Sequence, residues 1–168
     1  MDTVLTQMSH YKTTLPDEAA TQALGKQLAR VLQPGMSLFL HGDLGAGKTA
    51  LTRALIHAAG YDGHVKSPTY TLVEQYPVHI ASQSVTLLHF DLYRMLSPEE
   101  FTEAGFREEF NEKQICIVEW PEKADGMLPP ADIHIFLHVA GDGREVELQA
   151  LSARGNACLA SLQFAPNL

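Results

Sequence analysis

Apolar and polar residues change rhythm along this chain in a way that lays out its elements before any chemistry is considered. In "LPDEAATQALGKQLARVLQPG", Ala20, Leu24, Leu28, Val31 and Leu32 recur at helical spacing, with acids at the front and Gly35 past the end, which predicts a helix. "MSLFLH" is a short apolar run and predicts a buried strand, whereas "KTALTRALIHAAG" returns to helical spacing and stops at Gly60. "TYTLVEQY" and "VTLLHFDLYR" read as two strands separated by the polar "PVHIASQS", a hairpin-like pair. "SPEEFTEAGF" carries a helix start: Ser97 as cap, Pro98 in the first turn, Glu100 three residues on. "QICIVEW" predicts a buried strand that ends on an acid. "ADIHIFLHVAGDGREVELQAL" alternates on both sides of "GDG" and predicts a second hairpin. Within it Ile133, Ile135, Leu137 and Val139 form the apolar face, so His134 and His138 are expected to point outward. A short helix, "NACLASLQ", closes the pattern. Residues 1–10 read as a loose tail, and no element is predicted before Leu15. Mixed strands and helices with an early strand–loop–helix unit predict an α/β fold, a P-loop-like mixed sheet flanked by helices, in one domain over residues 1–168.

Composition adds bounds rather than identity. A chain of 168 residues, 45% hydrophobic and 19% charged, is long enough for one domain with a sizeable core and short for two. The net charge of -8 changes the picture more. A protein that grips RNA by itself clusters Lys and Arg on one face, and here the 12 basic residues occur singly, with no two adjacent. Any link to nucleic acid is therefore expected to pass through a partner protein. The two cysteines, Cys116 and Cys158, are far apart, and Cys116 lies in the apolar "ICIV", which predicts a buried, reduced thiol. The start "MDTVLTQMSH" has neither a basic stretch nor an apolar block, and no apolar segment approaches the roughly 18 residues of a membrane span. A cytoplasmic protein with no membrane contact is expected.

The chemistry centres on "GDLGAGKT", residues 42–49. Gly42, Gly47, Lys48 and Thr49 meet the G-x-x-x-x-G-K-[ST] pattern, with a predicted strand before it and a predicted helix after it, as a phosphate-binding loop requires. Glycines let successive backbone N–H groups turn inward around phosphates, and the helix N-terminus adds positive potential. The loop residues Gly42, Leu44, Gly45, Ala46, Gly47, Lys48 and Thr49 are therefore candidate nucleotide contacts. Lys48 is expected to face solvent and to reach the β and γ phosphates, and the Thr49 hydroxyl to bind Mg²⁺. Such a site needs an acid at the metal, usually at the end of a neighbouring strand. Glu119 ends "ICIVE", and Asp91 follows "VTLLHF"; an acid at a strand end is most often an exposed edge residue, but beside a P-loop both are candidates. Which of them is nearer the metal stays open. Thr69 in "KSPTYTL" occupies the place where GTPases keep a threonine that senses the γ-phosphate; a Ser-Pro turn opening a strand is the plainer alternative.

Absent motifs prune the alternatives. None of the asparagines, Asn111, Asn156 and Asn167, begins an Asn-Lys-x-Asp guanine reader, and no Asp-x-x-Gly occurs, which argues against a standard GTPase. There is no Leu-Ser-Gly-Gly signature of a transporter ATPase. A small-molecule kinase usually brings an Arg-rich lid, and between Gly60 and Glu119 only Arg94 and Arg107 are present.

"GDLGAGKT", "VKSPTYTLVEQY", "HFDLYR" and "ICIVEWPEK", in this order and spacing, resemble the bacterial TsaE proteins, as do "LPDEAATQALGKQLA" and "GDGRE". The resemblance runs from about Leu15 to Leu151. It implies a small ATPase needed to make threonylcarbamoyladenosine, the modified base beside the anticodon in tRNAs reading codons that begin with A. It implies work with a TsaB–TsaD pair that transfers threonylcarbamoyl from its adenylate, so that tRNA is met only through partners. Carried over by motif, Gly45 through Thr49 hold the phosphates of ATP, and Thr49 with Glu119 binds Mg²⁺. Asp91 and Trp120 fall on family hallmarks, and Glu18 and Arg144 match positions near the nucleotide. Two other classes remain compatible with the same loop: a small-molecule phosphotransferase, and a binding module whose conformation ATP sets without productive turnover.

Overall fold

The computed structural model describes residues 10–68 and 71–163. Its elements are β1 (His10–Leu15), α1 (Glu18–Val31), β2 (Ser37–His41), α2 (Lys48–Ala58), β3 (Val73–Ile80), β4 (Gln83–Asp91), α3 (Glu99–Glu103), β5 (Gln114–Glu119), β6 (Ile133–Ala140), β7 (Gly143–Ala150) and α4 (Ala153–Gln163). Two short 3₁₀ turns, Phe106–Glu109 and Pro121–Ala124, flank β5. All seven strands join one sheet in the order β1-β7-β6-β2-β5-β4-β3. The inner strands β6, β2, β5 and β4 run parallel, and antiparallel hairpins close both sides. Strand β2, which leads into the glycine-rich loop, is therefore central, with β5 and its terminal acid beside it.

Strand alternation divides the core into two. On one face Leu38, Leu40, Ile115, Ile117, Ile133 and Ile135 pack against Leu24 and Leu28 of α1, Leu51, Leu55 and Ile56 of α2, and Leu159 and Leu162 of α4. On the other, Phe39, Leu88, Phe90, Cys116 and Val118 meet Phe101 of α3 and the rings of Phe106 and Phe110. Cys116 and Cys158 are both buried free thiols, and burial pushes each pKa up to about 12.

Several elements depart from the sequence expectation. The segment before Leu15 was expected to carry no element, yet β1 begins at His10 and pairs with β7 from His10 opposite Gln149 to Leu15 opposite Arg144. Residues 1–9 of the expected tail lie outside the described residues. The polar "PVHIASQS" is mostly strand: β3 runs on to Ile80, because Tyr76, Val78 and Ile80 alternate into the core, and the turn shrinks to Ala81 and Ser82, both with positive φ. Pro77 is tolerated there because β3 is an edge strand. Helix α3 begins at Glu99 with Pro98 at its cap, later than expected, although Glu100 does accept from the Ser97 and Leu96 N–H groups. Val139, expected on the apolar face, is 61% exposed near the β6–β7 turn.

Candidate functional site

Strand β2 delivers the chain to Gly42, and α2 takes it up again at Lys48. Gly42 has φ 152°, and a Cβ there would stand 2.6 Å from the Leu137 carbonyl oxygen, so only glycine fits the exit from the sheet. Gly47 has φ 104° and serves as the left-handed cap of α2. A side chain from the neighbouring β6–β7 hairpin holds the loop. Arg144 donates from Nε to the Ala46 carbonyl (2.9 Å) and from Nη2 to the Gly45 carbonyl (3.1 Å), and its Nη1 donates to the Gly143 carbonyl. The loop and the start of α2 line a cavity of about 270 Å³. The first N–H groups of α2 have no partner within the helix and carry its positive end.

Lys48, Thr49, Asp91, Glu119 and Trp120 line that cavity together with Leu44, Gly45, Gly47, Ala50 and Tyr93. Asp91 and Glu119 are direct neighbours in the β4–β5 register, with side chains on the same face of the sheet. Glu119 is buried and accepts from the Thr49 hydroxyl, 3.1 and 3.3 Å from its two oxygens. Its Oε2 also lies 2.6 Å from Nε2 of His89, a fully buried side chain. Asp91 is half-buried and accepts from the Tyr93 N–H on Oδ1; burial first, and then the Glu119 charge, raise its pKa above the ordinary carboxylate value.

Lys48 corrects an expectation. It is buried, not solvent-facing: its ammonium donates to the Gly42 carbonyl at 2.6 Å and lies 3.6 Å from the centre of the Trp120 ring. Trp120 can cover it because the backbone turns left-handed (φ 59°) directly after β5, laying the indole between Lys48 and Tyr93. Burial lowers the Lys48 pKa, and the charges of Glu119 and Asp91 oppose that shift.

The remaining candidates are placed elsewhere. Glu18 and Arg144 line a second cavity, of about 220 Å³, that shares Gly47 and Ala50 with the first and lies between the start of α1 and the β6–β7 turn. Thr69 lies outside the described residues. His134 does not simply point outward: its Nδ1 is 2.6 Å from Nε2 of His41, the two rings stack, and Phe136 stacks on His41. His138 is exposed, as expected. Sequence reasoning missed His89 and Tyr93. The alternation in "HFD" puts His89 on the same face as Asp91, and that was the available signal.

Thr49 and Glu119 form an all-oxygen donor set with Asp91 beside it, which is the chemistry Mg²⁺ takes. Among the described residues no group of three or more His, Cys, Asp and Glu side chains is arranged to hold a metal. A pairing of one hydroxyl with one carboxylate suits an ion that completes its shell with water and substrate phosphates. Among the described residues no helix is long and apolar enough to cross a membrane.

The family model described as "Threonylcarbamoyl adenosine biosynthesis protein TsaE" matches residues 15–146. A protein of Haemophilus influenzae named tRNA threonylcarbamoyladenosine biosynthesis protein TsaE is 44% identical over 146 residues, covering 84% of this chain and 90% of that one. The Bacillus subtilis protein of the same name is 35% identical over 145 residues, covering 86% and 87%. Among solved structures, YdiB of Bacillus subtilis superposes with a TM-score of 0.74 at 28% identity, over 96% of this chain and 99% of that one.

Proposed function

The chain belongs to the TsaE family of threonylcarbamoyl adenosine biosynthesis proteins, and from that premise we propose that it is a Mg²⁺-dependent ATPase acting in complex with a TsaB–TsaD threonylcarbamoyl transferase. The observation that carries this reading is one cavity at the start of α2 that gathers Lys48, Thr49, Asp91 and Glu119. ATP enters with its phosphates against the N–H groups of the loop and the first turn of α2. Lys48 leaves the Trp120 face and turns its ammonium to the β and γ phosphates. Thr49 and Glu119 hold Mg²⁺, which when bound neutralises charge developing on the transferring phosphoryl group. Asp91 offers Oδ2 to the attacking water, its Oδ1 being held by the Tyr93 N–H. A raised pKa suits a carboxylate that accepts a proton. Arg144 keeps the loop carbonyls turned away from the phosphates. The partners, not this acidic chain, grip the tRNA.

The test is reconstitution with TsaB–TsaD, tRNA, the threonylcarbamoyl donor and Mg-ATP, with the modified nucleoside measured by mass spectrometry. Repeated rounds of modification are expected only when this chain is present and its Lys48 intact. Modification at the same rate without the chain contradicts the reading, and ATP-dependent phosphorylation of a small molecule in place of phosphate release points to a kinase.

A further inference from the structure

His89 is fully buried on β4, on the sheet face where Leu87 and Val85 point into the core. Its two ring nitrogens are treated differently. Nε2 is 2.6 Å from Glu119 Oε2, whereas Nδ1 has no hydrogen-bond partner among the described residues. A carboxylate only accepts, so Nε2 carries the proton of that bond. A buried nitrogen without a partner is a cost that an apolar residue at this position would not carry. The imidazole contributes something leucine cannot: a donor fixed on one oxygen of Glu119.

The consequence lies in how Glu119 is aimed. Oε2 is occupied by both His89 and the Thr49 hydroxyl, at 2.6 and 3.1 Å, while Oε1 has only the longer Thr49 contact of 3.3 Å. Rotation of the carboxylate would break the His89 bond, and His89 cannot follow, because the core closes around it. We propose that His89 is a positioning residue that locks the Glu119 carboxylate so that Oε1 is presented to the metal. The inference rests on the reading of Thr49 and Glu119 as a Mg²⁺ site. Outer-shell donors of this kind orient a ligand and tune its affinity without touching the metal.

The experiment uses the full chain with Mn²⁺ as the probe, its binding in the presence of ADP followed by electron paramagnetic resonance. His89→Leu fills the space without a donor and is expected to weaken Mn²⁺ binding about tenfold, the lower end for a lost outer-shell partner, while ADP affinity in EDTA changes by less than about twofold. His89→Gln places an amide N–H near the position of Nε2 and should recover most of the loss. His89→Asn, whose amide reaches only the position of Nδ1, should not. The Gln and Asn variants bury the same amide, so their comparison stands even if the Leu variant folds poorly. Equal Mn²⁺ affinity in wild type and His89→Leu, or equal behaviour of Gln and Asn, overturns the proposal. Wild type that binds Mn²⁺ no better with ADP than without overturns the metal-site reading itself, and the positioning role with it.

Discussion

The ammonium of Lys48, held between the Trp120 ring and the Gly42 carbonyl, decides what its removal should do. Alanine forfeits a cation–π contact of roughly 0.5–2 kcal/mol and also relieves the cost of a charge held out of water, so the two effects offset. Without ligand Lys48→Ala is expected to melt within about 5 °C of wild type, because about 1 kcal/mol corresponds to a few degrees in a domain of this size. Wild type should gain thermal stability from excess Mg-ATP, and the variant should not. Thermal melts with and without Mg-ATP check both statements, and a variant that is still stabilised removes Lys48 from the phosphate site. Glu119 serves two donors with one carboxylate, Thr49 Oγ1 and His89 Nε2. Glutamine offers one acceptor oxygen and no charge, so Glu119→Gln is expected to lower phosphate release roughly 100-fold or more, with a much smaller loss of nucleotide binding. Should Asp91→Asn be the more damaging change in the same assay, the two acids exchange roles. Local glycine spacing made the glycine-rich turn between β2 and α2 legible in the sequence. The cover that Trp120 places over Lys48 and the bond from His89 to Glu119 were not legible, since they follow from the β4–β5 register and a left-handed turn.

At the scale of elements, β2 and β6 are joined by side chains as well as by their ladder. His41 and His134 stack with a shared hydrogen bond, one nitrogen donating and the other accepting, which requires that they not both be protonated. Burial, reinforced by the His134 charge, lowers the His41 pKa to about 4, and burial also lowers that of His134. In the unfolded chain a histidine takes up its proton near pH 6.5, and in the fold His41 does so only near 4. Between those values the unfolded state binds more protons, so stability is full above about pH 6.5 and falls as the pH drops toward 4. Melting temperatures across this window should fall less steeply in His41→Phe, which keeps a ring against Phe136 and has nothing to protonate. Parallel slopes would show that the pair does not carry the acid sensitivity. The same scale explains what the hydrophobic pattern could and could not announce. The central strands β2 and β5 are apolar on both faces and were plain. Strand β1 exposes His10, Lys12 and Thr14, half-buries Tyr11 against the core and fully buries only Leu15, so its apolar signal is weak beside its hydrogen bonds to β7.

As a whole molecule, a chain of net charge -8 with dispersed basic residues presents its cavity at the sheet end formed by β2, β4 and β5. The nucleotide chemistry proposed there lacks one common part. None of Arg94, Arg107 and Arg144 lines the cavity that holds Lys48 and Glu119, and Arg144 is engaged on the carbonyls of Gly45 and Ala46. An arginine brought to the phosphoryl group on assembly changes such rates by roughly 10³ or more. Hydrolysis by the isolated chain is therefore expected to be slow and to rise when TsaB–TsaD supplies the missing charge or moves one of these residues into place. The most direct measurement is steady-state phosphate release by the full chain with Mg-ATP as TsaB–TsaD is titrated in, with Lys48→Ala as the blank. A low basal rate and a saturable rise of at least about tenfold are expected, well within what an arginine can contribute. Full activity in the isolated chain with a flat response to TsaB–TsaD would contradict that expectation.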